Sequence, residues 1–188
     1  MVFRYLAAAT VVATLIAMPA TALAQAREGI RYDCDTAANH FSELLLPAGP
    51  APFIVTGKVK LMTVGDSKDY VPMTLLAIGG ASDGPGPANG DIAGFEYLVA
   101  PAAKGKKPGL PFLAFVTRKA GKEKDTQMIA PPSSGEVAFT LVYDGADVAV
   151  TIDGHAKKYA LEANRPVVAI HCSTGEFLYS DLLIRPLD

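Results

Sequence analysis

The chain of 188 residues has no tryptophan and only two cysteines and three histidines. Phe and Tyr make up an aromatic fraction of just 8%. Without Trp, a sugar site lacks the side chain that stacks best on a pyranose face. Charge is scarce as well: 17 basic against 19 acidic residues give a net charge of -2, too little positive potential to draw in a nucleic acid by counterion release. Beyond the N-terminal segment no stretch supplies the roughly 18 consecutive apolar residues of a membrane span. What the chain does have is apolar mass, half of all residues, which excludes disorder.

Residues 1–26 carry the marks of an export signal. Arg4 gives a positive start, Leu6 to Met18 an apolar core of about 13 residues, and Ala22-Leu23-Ala24 and Ala24-Gln25-Ala26 two small-x-small cleavage sites. Cleavage after Ala24 or Ala26 leaves 27–188 as a single domain in a periplasmic or secreted protein. Outside the cytosol two cysteines have one pairing open to them, so Cys34 and Cys172 are expected to form a disulfide.

The mature chain alternates with period two. Val137, Phe139, Leu141 and Tyr143 are followed by the Asp144-Gly145 turn, then Val148, Val150 and Ile152, then Asp153-Gly154 and an extended segment to Leu161. This is a three-strand meander that buries one face. Further strands are expected in Phe53–Leu61, Tyr70–Ile78, Gly94–Val99, Leu110–Arg118, Pro166–His171 and Phe177–Ile184. Thr36–Leu45 fits a capped helix, but Phe41–Pro47 also fits a strand ended by its proline, and the strand agrees with every other element. Two long connections, Gly79 to Asp91 and Ala100 to Pro111, are rich in Gly, Pro and Lys. Short strands with turn residues between them predict an all-β chain, an antiparallel two-sheet sandwich or a barrel.

Three segments carry a resemblance: Phe53-Ile-Val-Thr-Gly57-Lys-Val-Lys-Leu61, Tyr143-Asp-Gly-Ala-Asp-Val-Ala-Val-Thr-Ile-Asp-Gly154 and Gly175-Glu-Phe-Leu-Tyr-Ser-Asp-Leu-Leu-Ile-Arg-Pro186. Together they resemble the concanavalin A-like lectin/glucanase jelly-roll, its laminin-G-like members above all. The resemblance implies a β-sandwich and spans lectins, adhesion modules and glycosidases. Glycosidases of that kind pair two carboxylates on one strand; here Glu43, Glu96, Glu136, Glu162 and Glu176 stand alone and read as surface carboxylates.

No Gly-x-Ser-x-Gly elbow occurs, and His40, His155 and His171 suggest structural roles. No cofactor is expected. Calcium, which the resemblance allows at a sheet rim, would draw on Asp66, Asp69, Asp83, Asp91, Asp144 or Asp147, residues equally suited to turn hydrogen bonding. For sugar binding the candidates are Tyr70, Phe95 and Tyr97, beside the long connections. The expectation is an exported, non-catalytic sandwich that binds a glycan or a cell-envelope or extracellular partner. The alternatives are a polysaccharide-active enzyme with carboxylates from separate strands, and a structural assembly subunit.

Overall fold

The computed structural model describes residues 29–67, 70–81, 90–100 and 109–187. Residues 1–26, expected to be an export signal, and most of the two long connections lie outside the described residues. Within them the chain is all β: β1 (Ile30–Pro47), β2 (Phe53–Val64), β3 (Met73–Gly80), β4 (Ile92–Val99), β5 (Pro111–Lys119), β6 (Lys122–Ile129), β7 (Glu136–Tyr143), β8 (Asp147–Ile152), β9 (His155–Ala160) and β10 (Pro166–Pro186).

All pairings are antiparallel and form one continuous path, β6-β5-β4-β3-β10-β2-β7-β8-β9, with β1 on β10. The path curls into two layers because β10 serves both. Residues 166–173 pair with β3 on one side and with Phe41–Pro47 of β1 on the other. Residues 175–186 pair with β2 and with the first part of β1. At the crossing Thr174 takes φ 52°, and a Cβ on Gly175 would come 2.9 Å from the Thr63 carbonyl oxygen, so only glycine fits beside that backbone. The first sheet is thus β6-β5-β4-β3 with the near halves of β10 and β1; the second is β9-β8-β7-β2 with their far halves. This is the antiparallel jelly-roll sandwich.

Between the layers Phe95 packs on Phe139 at 5.4 Å, Tyr97 on Phe177 at 5.9 Å and Phe139 on Tyr179 at 6.1 Å between centroids. Cys34, on the second-sheet half of β1, is bonded to Cys172, on the first-sheet half of β10, so the expected disulfide joins the two layers. Beside it the Thr74 hydroxyl donates to the His171 carbonyl at 2.9 Å and shares a hydrogen bond of 2.7 Å with the Tyr179 hydroxyl. Burial holds that phenol far above its ordinary range, in its neutral form.

Several expectations change in detail. Thr36–Leu45 is strand, interrupted where the register shifts between Thr36 and Phe41 and Asn39 turns to φ 63°. Pro166–His171 and Phe177–Ile184 are two halves of one strand. β6 was not expected, because its sequence, Lys122-Glu-Lys-Asp-Thr-Gln-Met-Ile129, carries the charges of an edge strand in place of apolar alternation.

Candidate functional site

Sheet parity decides which side chains meet. In β3 the residues at 74, 76 and 78 face the core, which turns 73, 75, 77 and 79 outward. Following the register across the first sheet, one outward row reads Glu43, His171, Leu75, Glu96, Ala114 and Met128. Its neighbours are mostly apolar: Phe41, Ser173, Met73, Leu98 and Phe112 on one side, and Leu45, Ala169, Ala77, Gly94 and Val116 on the other. Leu75, Ala77, Ile92 and Val116 form a second buried apolar cluster here, with Met73 packed on it. Ionisable groups from three strands, Glu43, His171 and Glu96, therefore stand on an apolar floor.

Met73, Leu75, Leu98, Glu96, Arg118, Glu123 and His171, with Val71, line a cleft of about 470 Å3. Arg118 Nη2 lies 2.7 Å from Glu123 Oε2 across the β5–β6 hairpin. Glu96 is only 5% exposed. His171 Nε2 is 3.3 Å from Glu43 Oε1, without the alignment of a hydrogen bond, so that oxygen is enclosed with no hydrogen-bond partner among the described residues. Burial, and then the positive charge of Arg118, hold His171 below its ordinary value, while burial pushes Glu43 up. Both shifts favour the uncharged forms. Groups perturbed by desolvation inside a cleft mark a candidate functional site.

The structure places the predicted sugar-binding residues differently. Phe95 and Tyr97 are 0% and 1% exposed: odd-numbered residues of β4 face the core, so neither ring offers a face to a ligand. Tyr97 instead donates its hydroxyl to the Gly135 carbonyl at 3.3 Å. Tyr70 is 52% exposed and immediately precedes Val71 on the cleft wall. Glu43 and Glu96, read as surface carboxylates, are largely enclosed, because each lies on a strand whose neighbours cover it. Glu136, by contrast, sits on the second sheet 3.6 Å from Lys58, and Glu176 accepts a hydrogen bond from Thr63 at 2.8 Å.

His40 and His155 are exposed and neither lines the cleft; of the three histidines His171 alone does. Asp144 accepts backbone hydrogen bonds from Ala146 and Asp147 at 2.9 and 2.7 Å, and these hold its carboxyl below the usual range. Asp91 accepts from the Ala120 amide at 2.8 Å. Both are turn roles, and among the described residues no three His, Cys, Asp or Glu side chains gather as a metal site. Asp69, Asp83 and Lys104, Lys106 and Lys107 lie outside the described residues. Parity was the missing step for the cleft, although the isolated carboxylate in the apolar run Ile92–Val99 was a usable signal.

Comparison with protein-family profiles finds no match, and comparison with curated proteins finds none. Solved structures do match. A functionally unknown protein from Saccharomyces cerevisiae aligns with TM-score 0.54 at 9% identity, covering 84% of this chain and 88% of that one. The carbohydrate binding module CBM66 from Bacillus subtilis aligns with TM-score 0.47 at 9% identity, over 83% and 95% of the two chains. The Caenorhabditis elegans galectin LEC-6 gives 0.45 at 8% identity, over 80% and 95%. At these identities the likeness is one of fold alone.

Proposed function

We propose that this protein is an exported saccharide-binding domain without catalytic activity, and that its site is the cleft on the outward face of the first sheet. The observation that carries the reading is the convergence of Glu43, His171, Glu96 and the Arg118–Glu123 pair over an apolar floor. Carboxylates accept hydrogen bonds from neighbouring ring hydroxyls, a guanidinium donates to ring and hydroxyl oxygens, and Met73, Leu75 and Leu98 meet the C–H face of a pyranose. The volume falls within the range of small-ligand sites. Tyr70 supplies the aromatic face at the rim. Export agrees with the signal-like residues 1–26 and with the disulfide.

A glycan array followed by calorimetry tests this. Wild type is expected to bind at least one saccharide class. Glu96→Gln is expected to weaken that binding tenfold or more, while Lys58→Ala on the second sheet leaves it unchanged. Silence across the array removes the saccharide reading and favours a protein partner of the cell envelope. The His171–Glu43 contact favours one second reading, a polysaccharide-active enzyme, since perturbed acid–base pairs occur at catalytic centres. Chain cleavage of a bound polysaccharide, abolished in His171→Ala, would establish it.

A further inference from the structure

We infer that the protein pairs with a second copy of itself through the free edge of β1 between Phe41 and Pro47, each copy seating its Phe41 at an apolar cavity of the other. This pairing is independent of what the cleft binds. Among the described residues β1 pairs on one side only, with β10, so its other side presents unpaired backbone donors and acceptors. The two sheets end in four such edges among these residues, and three of them carry charges that discourage the addition of a strand. β6 exposes Lys122, Glu123 and Lys124, β9 exposes Lys157 and Lys158, and the first part of β1 exposes Arg31, Asp33 and Asp35. The stretch Phe41–Pro47 differs. Its one charged group, Glu43, is folded against His171 with only 17% of its side chain exposed, whereas Phe41 is 76% exposed and Leu45 37%.

The segment is complementary to itself. Its odd-numbered residues face outward with His171 and Leu75, so a two-fold axis normal to the sheet pairs residues of equal parity. An axis at Glu43 would oppose two carboxylates. An axis at Leu44 opposes Phe41 to Pro47, Ser42 to Leu46 and Glu43 to Leu45, and no like charges meet. The ends of the segment agree with this register: Pro47 has no amide to carry a ladder further, and before Phe41 the strand is interrupted where Asn39 turns to φ 63°. Pro47 also marks the cavity. With Pro50, Ala81, Arg165, Pro166 and Val167 it lines a largely apolar hollow of about 430 Å3, where β1 and β3 end and β10 begins. Directly opposed residues of an antiparallel pair lie about 4.5–5.5 Å apart, which brings the partner's Phe41 to its mouth. The axis makes this contact twice, and an aromatic anchor filling a pocket is the kind of contact that dominates interface affinity. Both outward faces stay on one side, so the two clefts open in the same direction.

Sedimentation from low micromolar to several hundred micromolar protein tests the pairing, together with amide hydrogen exchange at both ends of that range. Wild type is expected to pass from monomer to dimer, and amides within 42–46 to gain protection as it does. Phe41→Lys is expected to raise the dissociation constant tenfold or more, and Leu45→Lys, which charges the same edge, to raise it as well. Both side chains are exposed enough for the variants to fold. Met128→Lys, on the opposite edge of the same face and 76% exposed, is expected to leave it unchanged. A monomer at every concentration overturns the proposal and leaves the edge to a strand of another protein. Species larger than a dimer, a dimer indifferent to Phe41→Lys, or one weakened equally by Met128→Lys also overturn it, since each places the contact elsewhere.

Discussion

The two sheets are built from similar strands and treat their outward faces in opposite ways. In β7 and β8 buried and more exposed residues alternate, so the second sheet wets its outer face, where Lys58 bridges Glu136 and Asp181 at 3.6 Å each. In β3 and β4 nearly every residue is buried, including those turned away from the core. A polar side chain on the second sheet's outer face therefore costs little. On the first sheet's outer face it must find a partner or accept desolvation. Ionisable groups retained at that cost in one place, Glu43, His171 and Glu96, are the molecule's strongest indication of a binding function.

The largest expected effect tests what joins these unlike layers. Replacing Cys34 and Cys172 together by Ser opens a loop of sequence separation 138, for which the chain-entropy treatment gives about 5 kcal/mol. Urea denaturation of the variant and of wild type measures it. A loss below about 1 kcal/mol would mean that the interlayer aromatic contacts hold the sheets together unaided.

Next comes the difference between the faces themselves. Leu75→Ala removes an enclosed side chain from the outward face of the first sheet and is expected to cost about 2–3 kcal/mol, as a core truncation does. Ala138→Ser, on the exposed face of β7, is expected to stay within about 0.5 kcal/mol. Thermal denaturation of the two variants compares them directly, and equal effects would erase the distinction.

How much of this was legible in the sequence follows from the same distinction. One-sided strands announce themselves: the meander from Glu136 to Leu161 alternates cleanly, and its turns fall at Asp144-Gly145 and Asp153-Gly154 as expected. Strand β10 did not, because the crossing residues Ser173-Thr174-Gly175 break the apolar pattern of a strand that continues through them. β6 escaped because a charged edge strand has no buried face to pattern. Tyr97 misled for a related reason: with apolar residues on both faces of β4, local sequence does not say which set points inward, and only the pairing of β4 with β3 and β5 does. The cleft needs the register of five strands at once, and Glu43 and His171 are joined by pairing between chain segments far apart in sequence.

A smaller effect concerns pH. His171 is held below its ordinary value of 6.5, so the unfolded chain takes up a proton first as pH falls. Stability is therefore lost on acidification from neutral pH through 6.5 toward the folded-state value, by about 1 kcal/mol or less. Glu43 works the other way: its raised value lets the folded state bind a proton first, which returns stability at still lower pH. Denaturation midpoints measured across pH 7 to 5 are expected to fall in wild type and to stay flatter in His171→Gln.

The smallest effect compares the tight hairpins of the two sheets. Both use two residues with positive φ, Asp153 at 45° and Gly154 at 80° in the second sheet, Ala120 at 50° and Gly121 at 73° in the first. Such turns match the twist of the strands they join, and their first position favours Asn or Asp, whose short polar side chains tolerate the left-handed region better than a plain Cβ does. The second sheet meets that preference and the first does not. Ala120→Asn keeps the backbone amide that donates to Asp91 and is expected to stabilise by about 0.5 kcal/mol, whereas Asp153→Ala destabilises by a similar amount. Opposite shifts in denaturation midpoint would show that the first sheet's hairpin carries a conformational strain that the second avoids; shifts of one sign would mean that contacts around Ala120, and not its backbone angle, decide that turn.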